Sequence, residues 1–214
     1  HQNINPKLSL FAGKGEVKLK ITATGQSKSE NQKLIKEVEN NVRSIVGEYI
    51  YGINNETLPQ KAGNLLNNKN LKVSLAESCT GGLIGNRLTN VSGSSNYFIG
   101  GIIAYSNQIK KNQLGVPADI LQNYGAVSRE TVQKMAAGIR KKFNTDIGLA
   151  VTGIAGPGGG TAKKPVGLVY LGLCDNNNSN VYQINLNGNR IENKWKTSQY
   201  ALYYLCNHLK SKGD

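Results

Sequence analysis

The stretch from residue 72 to residue 88 constrains the fold more than any other part of the chain. Residues 73–76 form a short apolar run that is typical of a buried strand, and the residues at 78–82 are all small. Apolar residues at helical spacing then follow from residue 83 to residue 91. The pattern predicts a strand, a tight turn and the start of a helix.

The turn of this unit gathers backbone N–H groups at one point. The first N–H groups of a helix lack partners within the helix, so an anion or a developing oxyanion can bind there, and we expect such donors among residues 79–82. Two adjacent glycines allow a ligand to approach the backbone closely. Ser78 and Cys79 are both candidate nucleophiles. The alternative is an ordinary strand-to-helix loop that Ser78 or Thr80 caps.

Hydrophobic periodicity divides the chain into two predicted domains. Residues 1–55 predict a small α+β unit, with an alternating strand at 16–24, a helix that Ser27 or Ser29 can start and a second short strand at 49–51. Residues 56–214 alternate between helix and strand patterns, which predicts a three-layer α/β/α domain. Its further strands are expected at 97–106 (fully buried), 147–151, 166–173 and 181–186, and its further helices at 57–66, at 110–114, from 128 and from 190.

A glycine-rich loop follows the predicted strand at 147–151. Residues 152–161 contain five glycines and one proline, so the backbone rather than the side chains shapes this loop. The loops at 77–82 and 105–110 also follow predicted strands. Ligands of open α/β sheets bind beyond the carboxyl ends of the strands, so we expect these three loops to converge on one site.

The residue inventory narrows the chemistry of that site. The two histidines, His1 and His208, stand near the chain ends, and no CxxC or HExxH motif occurs, so we expect no metal and no cofactor. Three distant cysteines, with no secretion signal and no membrane-spanning run, favour a reducing cytoplasm and exclude a membrane partner. A serine nucleophile then needs a base other than histidine, and a lysine whose pKa is lowered by desolvation can serve.

The formal net charge of +13 fits either nucleic acid or a small substrate that carries phosphate. The basic residues are scattered in short pairs, so we favour a solvated basic surface over nucleic-acid binding. The chain begins at His1 and its one methionine is Met135, so we expect that the translated protein starts further upstream.

Six short motifs occur in one order along the predicted α/β domain. They are AESCTGG at 76–82, YSN at 105–107, GAVS at 125–128, TGIAGP at 152–157, KPVG at 164–167 and GNR at 188–190. In this order they resemble the CinA C-terminal domain family, which is similar to nicotinamide-nucleotide amidohydrolases. The resemblance covers about residues 60–210, and residues 10–55 resemble the KH-like module of full-length CinA. The N-terminal CinA domain is expected to be missing from this chain.

The resemblance implies a metal-independent Ser/Lys hydrolase that converts nicotinamide mononucleotide (NMN) to nicotinate mononucleotide and ammonia. By motif, it implies Ser78 as nucleophile, Lys110 as base and Tyr105 as a supporting hydroxyl. The substrate-binding positions are Thr80, Gly81, Gly82, Asn107, Gly153, Gly156, Gly158, Gly159 and Arg190. A homodimer or higher homo-oligomer is also implied. Two positions depart from the family pattern: Asn189 replaces the usual acid before the arginine, and Lys194 stands where arginine is common.

Each of these residues has a plainer interpretation when it is considered alone. Lys110 is then a solvated surface lysine, Tyr105 a packing residue and Arg190 a surface residue at a helix start. Cys79 is the alternative nucleophile, although no histidine stands ready to activate it.

The alternative function is a nucleotide or nucleic-acid binding module in competence or DNA-damage response, without catalysis. The net charge and the KH-like segment favour it. Residues 1–55 contain no GxxG, the loop by which KH modules clamp a nucleic-acid backbone, so nucleic acid is the less expected partner.

Overall fold

The computed structural model describes residues 5–13 and 15–211, so His1 lies outside the described residues. The chain separates into two compact units, one up to Asn55 and one from Glu56 onward. No helix in the described part of the chain has the length and apolar character needed to cross a membrane.

The first unit is a two-stranded antiparallel sheet followed by one long helix. Strand β1 (Lys7–Ala12) pairs with β2 (Val17–Thr22), and helix α1 spans Lys28–Val46. The α+β class and the alternating strand agree with the prediction. Periodicity did not predict β1, because its alternation breaks at Leu10, Phe11 and Ala12, three apolar residues in a row.

The helix of this unit begins where the sequence predicts. The Ser27 hydroxyl accepts a hydrogen bond from the Glu30 N–H at 3.1 Å, which caps α1. The predicted strand at 49–51 is wrong. Gly47 keeps a helical conformation and its N–H still bonds to the Arg43 carbonyl, so the backbone tightens into a 3-10 turn at Gly47–Tyr49 instead of extending.

The second unit is a five-stranded sheet flanked by helices, which confirms the predicted fold class. The strand order is β4-β3-β5-β6-β7; β3 is parallel to β4 and β5, whereas β5, β6 and β7 are antiparallel neighbours. The strands are β3 (Val73–Glu77), β4 (Phe98–Ile103), β5 (Ile147–Gly153), β6 (Leu168–Cys174) and β7 (Ser179–Asn185). The helices are α2 (Leu58–Asn68), α3 (Leu83–Thr89), α4 (Asn107–Leu114), α5 (Ala118–Asn123), α6 (Arg129–Phe143) and α7 (Arg190–Lys210).

Helix α6 covers one face of the sheet and α7, with α2 and α3, covers the other. The close approach of α6 explains a glycine in β5. A Cβ on Gly148 would lie 2.1 Å from the carbonyl oxygen of Ala136, so no larger residue fits there. The buried apolar residues of both faces form the core of this unit, including Leu171 and Ile139.

Two predictions about the region of β4 need correction. The strand was expected to be fully buried, but β4 is an edge strand and Ile99 and Ile103 are exposed. Helix α4 was expected to start at Lys110, but it starts three residues earlier, because the Ser106 hydroxyl caps it by accepting from the Ile109 N–H at 3.2 Å.

Candidate active site

The three loops that follow β3, β4 and β5 meet at one edge of the sheet. These strands are parallel neighbours, so their carboxyl ends lie side by side. A cavity of about 260 Å³ opens between the loops. It is lined by Ser78, Cys79, Tyr105, Lys110, Ala126, Val127, Thr152, Gly153, Ile154, Ala155, Gly156, Gly158, Gly159 and Arg190.

Lys110 is buried in this site, with only 1% of its surface exposed. It lies in α4, whose start after β4 turns the side chain back toward β3. Its ammonium donates to the Ser78 hydroxyl at 3.2 Å, to the Ala104 carbonyl at 2.7 Å and to the Tyr105 carbonyl at 3.2 Å. The neighbouring Lys111 is exposed. The interpretation of Lys110 as a solvated surface lysine is therefore wrong.

The surroundings of Lys110 favour its neutral form. Among the described residues, no carboxylate forms an ion pair with it. Burial lowers the pKa of Lys110 below the ordinary lysine value, because a charged amine loses hydration there. A neutral amine beside a serine hydroxyl can accept the serine proton.

Cys79 lies next to Ser78, but its surroundings disfavour the ionised form of its thiol. Its thiol is 6% exposed, and burial raises its pKa to about 12. The negative charge of Glu77 acts in the same direction. A thiol that stays protonated is a poor nucleophile, so this environment favours Ser78.

The backbone of the turn after Ser78 has few free donors. The Gly81 N–H donates to the Ser78 carbonyl at 3.2 Å, and the Gly82 N–H donates to the Glu77 carboxylate at 3.0 Å. Both glycines have positive φ, +63° and +94°. In the described structure the N–H groups of residues 79–80 have no protein acceptor. Of these two residues only Cys79 lines the cavity, so the oxyanion donors expected among 79–82 are reduced to the Cys79 N–H.

Tyr105 and Arg190 meet at the mouth of the cavity, although 85 residues separate them in sequence. The guanidinium of Arg190 donates to the Tyr105 hydroxyl at 3.1 Å and to the Gly156 carbonyl at 2.8 Å. Tyr105 is 61% exposed, so it does not pack in the core. Its carbonyl, rather than its hydroxyl, contacts Lys110.

Side-chain hydrogen bonds to backbone carbonyls hold the surrounding loops in place. The side chain of Asn193 donates to the Ala155 carbonyl at 3.1 Å, which fixes the glycine-rich loop against α7. The Lys164 ammonium donates to the carbonyls of Tyr124 and Val127 at 2.6 and 2.7 Å. The sequence reasoning did not single out these two polar residues, although Lys164 opens the KPVG motif.

Four predicted substrate-binding residues do not line the cavity: Thr80, Gly81, Gly82 and Asn107. Asn107 is exposed at the first position of α4. Thr80 is fully buried, and its hydroxyl has no hydrogen-bond partner in the described part of the chain. The lining residues that were missed are Ala126, Val127, Thr152, Ile154 and Ala155; each lies in one of the motifs GAVS and TGIAGP.

Asn189 keeps a structural role at the position where the family pattern has an acid. Its side chain accepts from the Glu192 N–H at 3.0 Å, and the Glu192 carboxylate accepts from the Asn189 N–H at 3.1 Å. This capping box starts α7 and sets the position of Arg190. Asparagine caps a helix as well as aspartate does, so the replacement removes a charge without removing the cap.

Within the described residues, no group of three or more His, Cys, Asp or Glu side chains is placed to hold a metal ion. The polar side chains that line the cavity are the hydroxyls of Ser78, Tyr105 and Thr152, the Cys79 thiol, the Lys110 amine and the Arg190 guanidinium.

The fold and the site now identify the family. The chain belongs to the CinA C-terminal domain family, whose profile matches residues 55–209, and the profile of the damage-inducible protein CinA KH domain matches residues 1–52. It is 52% identical over 209 residues to a putative competence-damage inducible protein of Halothermothrix orenii, covering 97% of this chain and 51% of the relative. It is 47% identical over 201 residues to a CinA-like protein of Kosmotoga olearia, covering 94% and 49%.

Solved structures show the same fold. The competence/damage inducible protein CihA of Agrobacterium tumefaciens is 41% identical with a TM-score of 0.69, and the match covers 72% of this chain and 93% of that one. A CinA superfamily protein of Klebsiella pneumoniae is 27% identical with a TM-score of 0.70, covering 72% and 96%. The chain spans about half the length of the sequence relatives it matches.

Proposed function

We propose that the chain is a nicotinamide-nucleotide amidohydrolase, which hydrolyses the carboxamide of NMN to nicotinate mononucleotide and ammonia. The observation that carries the proposal is the buried Lys110 amine 3.2 Å from the Ser78 hydroxyl. A serine hydroxyl is a weak nucleophile on its own and needs an adjacent base. Membership in the CinA family fits this activity, although the names of the relatives do not state it.

The first half of the reaction is acyl transfer to Ser78. Its hydroxyl oxygen attacks the carboxamide carbon, and neutral Lys110 takes the hydroxyl proton. The carbonyl oxygen becomes an oxyanion, for which the Cys79 N–H is the available backbone donor. The intermediate collapses as Lys110 returns the proton to the leaving nitrogen, which releases ammonia and leaves an ester on Ser78.

The second half is hydrolysis of that ester. Lys110 now takes a proton from a water molecule, the resulting hydroxide attacks the ester carbon, and Ser78 leaves with the proton from Lys110. Nicotinate mononucleotide is the product. The same pair thus acts in both halves, and the sequence of steps requires no metal ion or cofactor.

The phosphate of the substrate has a separate place in this proposal. Arg190 can hold a phosphate at the cavity mouth through the N–H groups of its guanidinium that do not bind Tyr105 or Gly156. Gly158 and Gly159 line the same cavity, and a glycine-rich backbone can approach phosphate oxygens closely. Because Arg190 provides a positive charge for the phosphate, we expect the site to prefer a nucleotide over free nicotinamide.

The test is ammonia release from NMN by the purified protein in the presence of a metal chelator. We expect Ser78→Ala to lower turnover by about a thousand-fold or more, because it removes the covalent nucleophile. Cys79→Ala, which removes the alternative nucleophile, should retain turnover within about tenfold. Absence of turnover in the wild-type protein, or turnover that Ser78→Ala leaves unchanged, would contradict the proposal.

We also propose a homodimer or higher homo-oligomer as the working form. The exposed apolar residues Ile99 and Ile103 of the edge strand β4 support a contact between copies. Light scattering should give at least twice the monomer mass of 23.1 kDa. A monomer at assay concentration would contradict this expectation.

A further inference from the structure

Glu77 is a buried acid that the proposed mechanism has not yet used. It is the last residue of β3, directly before Ser78, and only 3% of its surface is exposed. Among the described residues, no lysine or arginine forms an ion pair with it. A buried carboxylate with no cation must be stabilised by hydrogen bonds.

Three backbone N–H groups provide that stabilisation. The Glu77 carboxylate accepts from Gly82 at 3.0 Å, from Ile84 at 3.1 Å and from Gly85 at 2.8 Å. The cap position of α3 is Gly82, which has no side chain to offer. Glu77 therefore caps α3 from the end of the preceding strand and closes the turn around Ser78.

Because Glu77 closes the turn, some N–H groups of the turn have protein acceptors and others do not. Glu77 occupies the donors of Gly82, Ile84 and Gly85, and the Ser78 carbonyl occupies the Gly81 donor at 3.2 Å. In the described turn, the N–H groups of Cys79, Thr80 and Leu83 remain without a protein acceptor. Of these three residues only Cys79 lines the cavity beside the nucleophile, so its N–H is the donor available to an oxyanion.

We propose that Glu77 is a positioning residue, whose carboxylate fixes the first turn of α3 and thereby aims the Cys79 N–H group at the oxyanion that forms when Ser78 attacks. This inference rests on the proposed amidohydrolase function. Its effect reaches the reaction through the backbone, since Glu77 itself touches neither substrate nor the reacting atoms. A negative charge this close to the oxyanion is tolerable because three N–H dipoles surround it.

The geometry requires a carboxylate and not an amide. An ionised carboxylate has only acceptors, so its two oxygens can serve three donors. Glutamine at this position would turn an NH₂ group toward at least one backbone N–H, which sets donor against donor. Glu77→Gln keeps the size and shape of the side chain and is therefore the informative change.

Steady-state kinetics with NMN on the full chain test the inference. We expect Glu77→Gln to lower kcat about a hundred-fold, as loss of oxyanion donors does, while KM and the Kd of nicotinate mononucleotide stay within about threefold. The control is Asp175→Asn. Asp175 is also buried, and its carboxylate accepts from the N–H groups of Asn177 and Asn178. It also lies 2.8 Å from Nε2 of His208, and it belongs to the β6–β7 hairpin outside the cavity. Both variants should melt earlier, and only Glu77→Gln should lose kcat at a temperature well below either midpoint.

A second measurement needs no variant. Pyridine-3-boronic acid can form a tetrahedral anionic adduct with a serine, so it imitates the intermediate. Amide hydrogen exchange followed by NMR on the wild-type protein should show Gly82, Ile84 and Gly85 protected with and without the adduct. The amide of Cys79 should become protected only when mass spectrometry shows the adduct.

The outcomes separate this inference from the function on which it rests. Wild-type turnover with an unchanged kcat in Glu77→Gln overturns the role of Glu77 alone, as does a product Kd that weakens by the same factor as kcat. Exchange at the Cys79 amide that the adduct does not slow also overturns it. A wild-type protein without turnover overturns the proposed function, and this role with it.

Discussion

Both units of the chain contain an amphipathic helix, but they bury different fractions of their apolar side chains. Among the described residues up to Asn55, none is buried, and Ile45 of the amphipathic α1 is 79% exposed. In the unit from Glu56 onward, Ile139 of the amphipathic α6 is fully buried. One helix and a two-stranded sheet cannot exclude water from a core, whereas a five-stranded sheet with helices on both faces can. Amphipathicity therefore predicts a face, and burial depends on what is available to cover it.

The candidate site follows the same division. Every residue that lines the cavity belongs to the second unit. A site that must lower the pKa of a lysine needs a desolvated position, and only the unit with a core provides one. The comparison thus predicts that chemistry and most of the stability reside in the second unit.

The largest expected effect separates a buried lysine from an exposed one within that unit. Lys110→Ala should lower turnover of NMN about a thousand-fold or more, because it removes the base, and Lys111→Ala should stay within about twofold. Adjacent helical residues point about 100° apart, so both cannot reach Ser78. Equal losses in the two variants would show that the base is wrongly assigned.

The pH dependence of the rate tests whether Lys110 acts as the base. Burial lowers the pKa of Lys110, and the active form is the neutral amine. The rate should therefore rise with pH as Lys110 loses its proton, and it should level off above the lowered pKa. A full pH–rate profile of wild-type protein measures this limb. If the rise in rate with pH persists in Lys110→Ala, another group takes the proton.

The next largest effect is on stability, and it distinguishes a core residue of the second unit from an exposed residue of the first. Leu171→Ala removes a fully buried side chain from β6 and should lower the free energy of unfolding by about 2–5 kcal/mol. Ile45→Ala in α1 should change it by less than about 0.5 kcal/mol, since that side chain is largely exposed. Urea denaturation followed by circular dichroism measures both. A decrease of more than about 1 kcal/mol in the free energy of unfolding of Ile45→Ala would show that the Ile45 side chain is buried in a contact.

A smaller effect is expected from removing the first unit. Solved relatives are covered over 93% and 96% of their length by 72% of this chain, a share close to that of the second unit. A protein of residues 56–214 should therefore retain turnover within about threefold and melt cooperatively. Residues 1–55 expressed alone should show no cooperative transition, since none of their described residues is buried. An inactive or molten 56–214 fragment would contradict this separation.

The smallest effect is expected for nucleic acid. The first unit has a KH-family match but no GxxG loop, so we expect no specific binding of single-stranded RNA or DNA. Fluorescence anisotropy at low salt, where phosphate contacts are strongest, is the most sensitive check. Micromolar binding that weakens as salt rises would instead support the nucleic-acid module.

Local patterns in the sequence predicted most of the secondary structure. The strand–turn–helix at 72–88, the capped start of α1 at Ser27 and the start of α7 at Arg190 all appear where the residues indicated. These features depend on period, capping and glycine content over a few neighbouring residues, so the chain carries them locally. The strand wrongly placed at 49–51 shows the limit, because a short apolar run is equally compatible with a turn.

The sequence by itself also determined that Ser78 and a glycine-rich loop would stand at strand ends, and the six motifs pointed to the family. Only the tertiary structure decided what the polar groups do. Lys110 is buried because α4 folds back over the end of β3, Tyr105 meets Arg190 across 85 residues, and Glu77 turns inward to cap α3. A lysine, a tyrosine or a glutamate is compatible with solvent or with a site. The choice depends on desolvation and on partners that are distant in sequence, which no local pattern encodes.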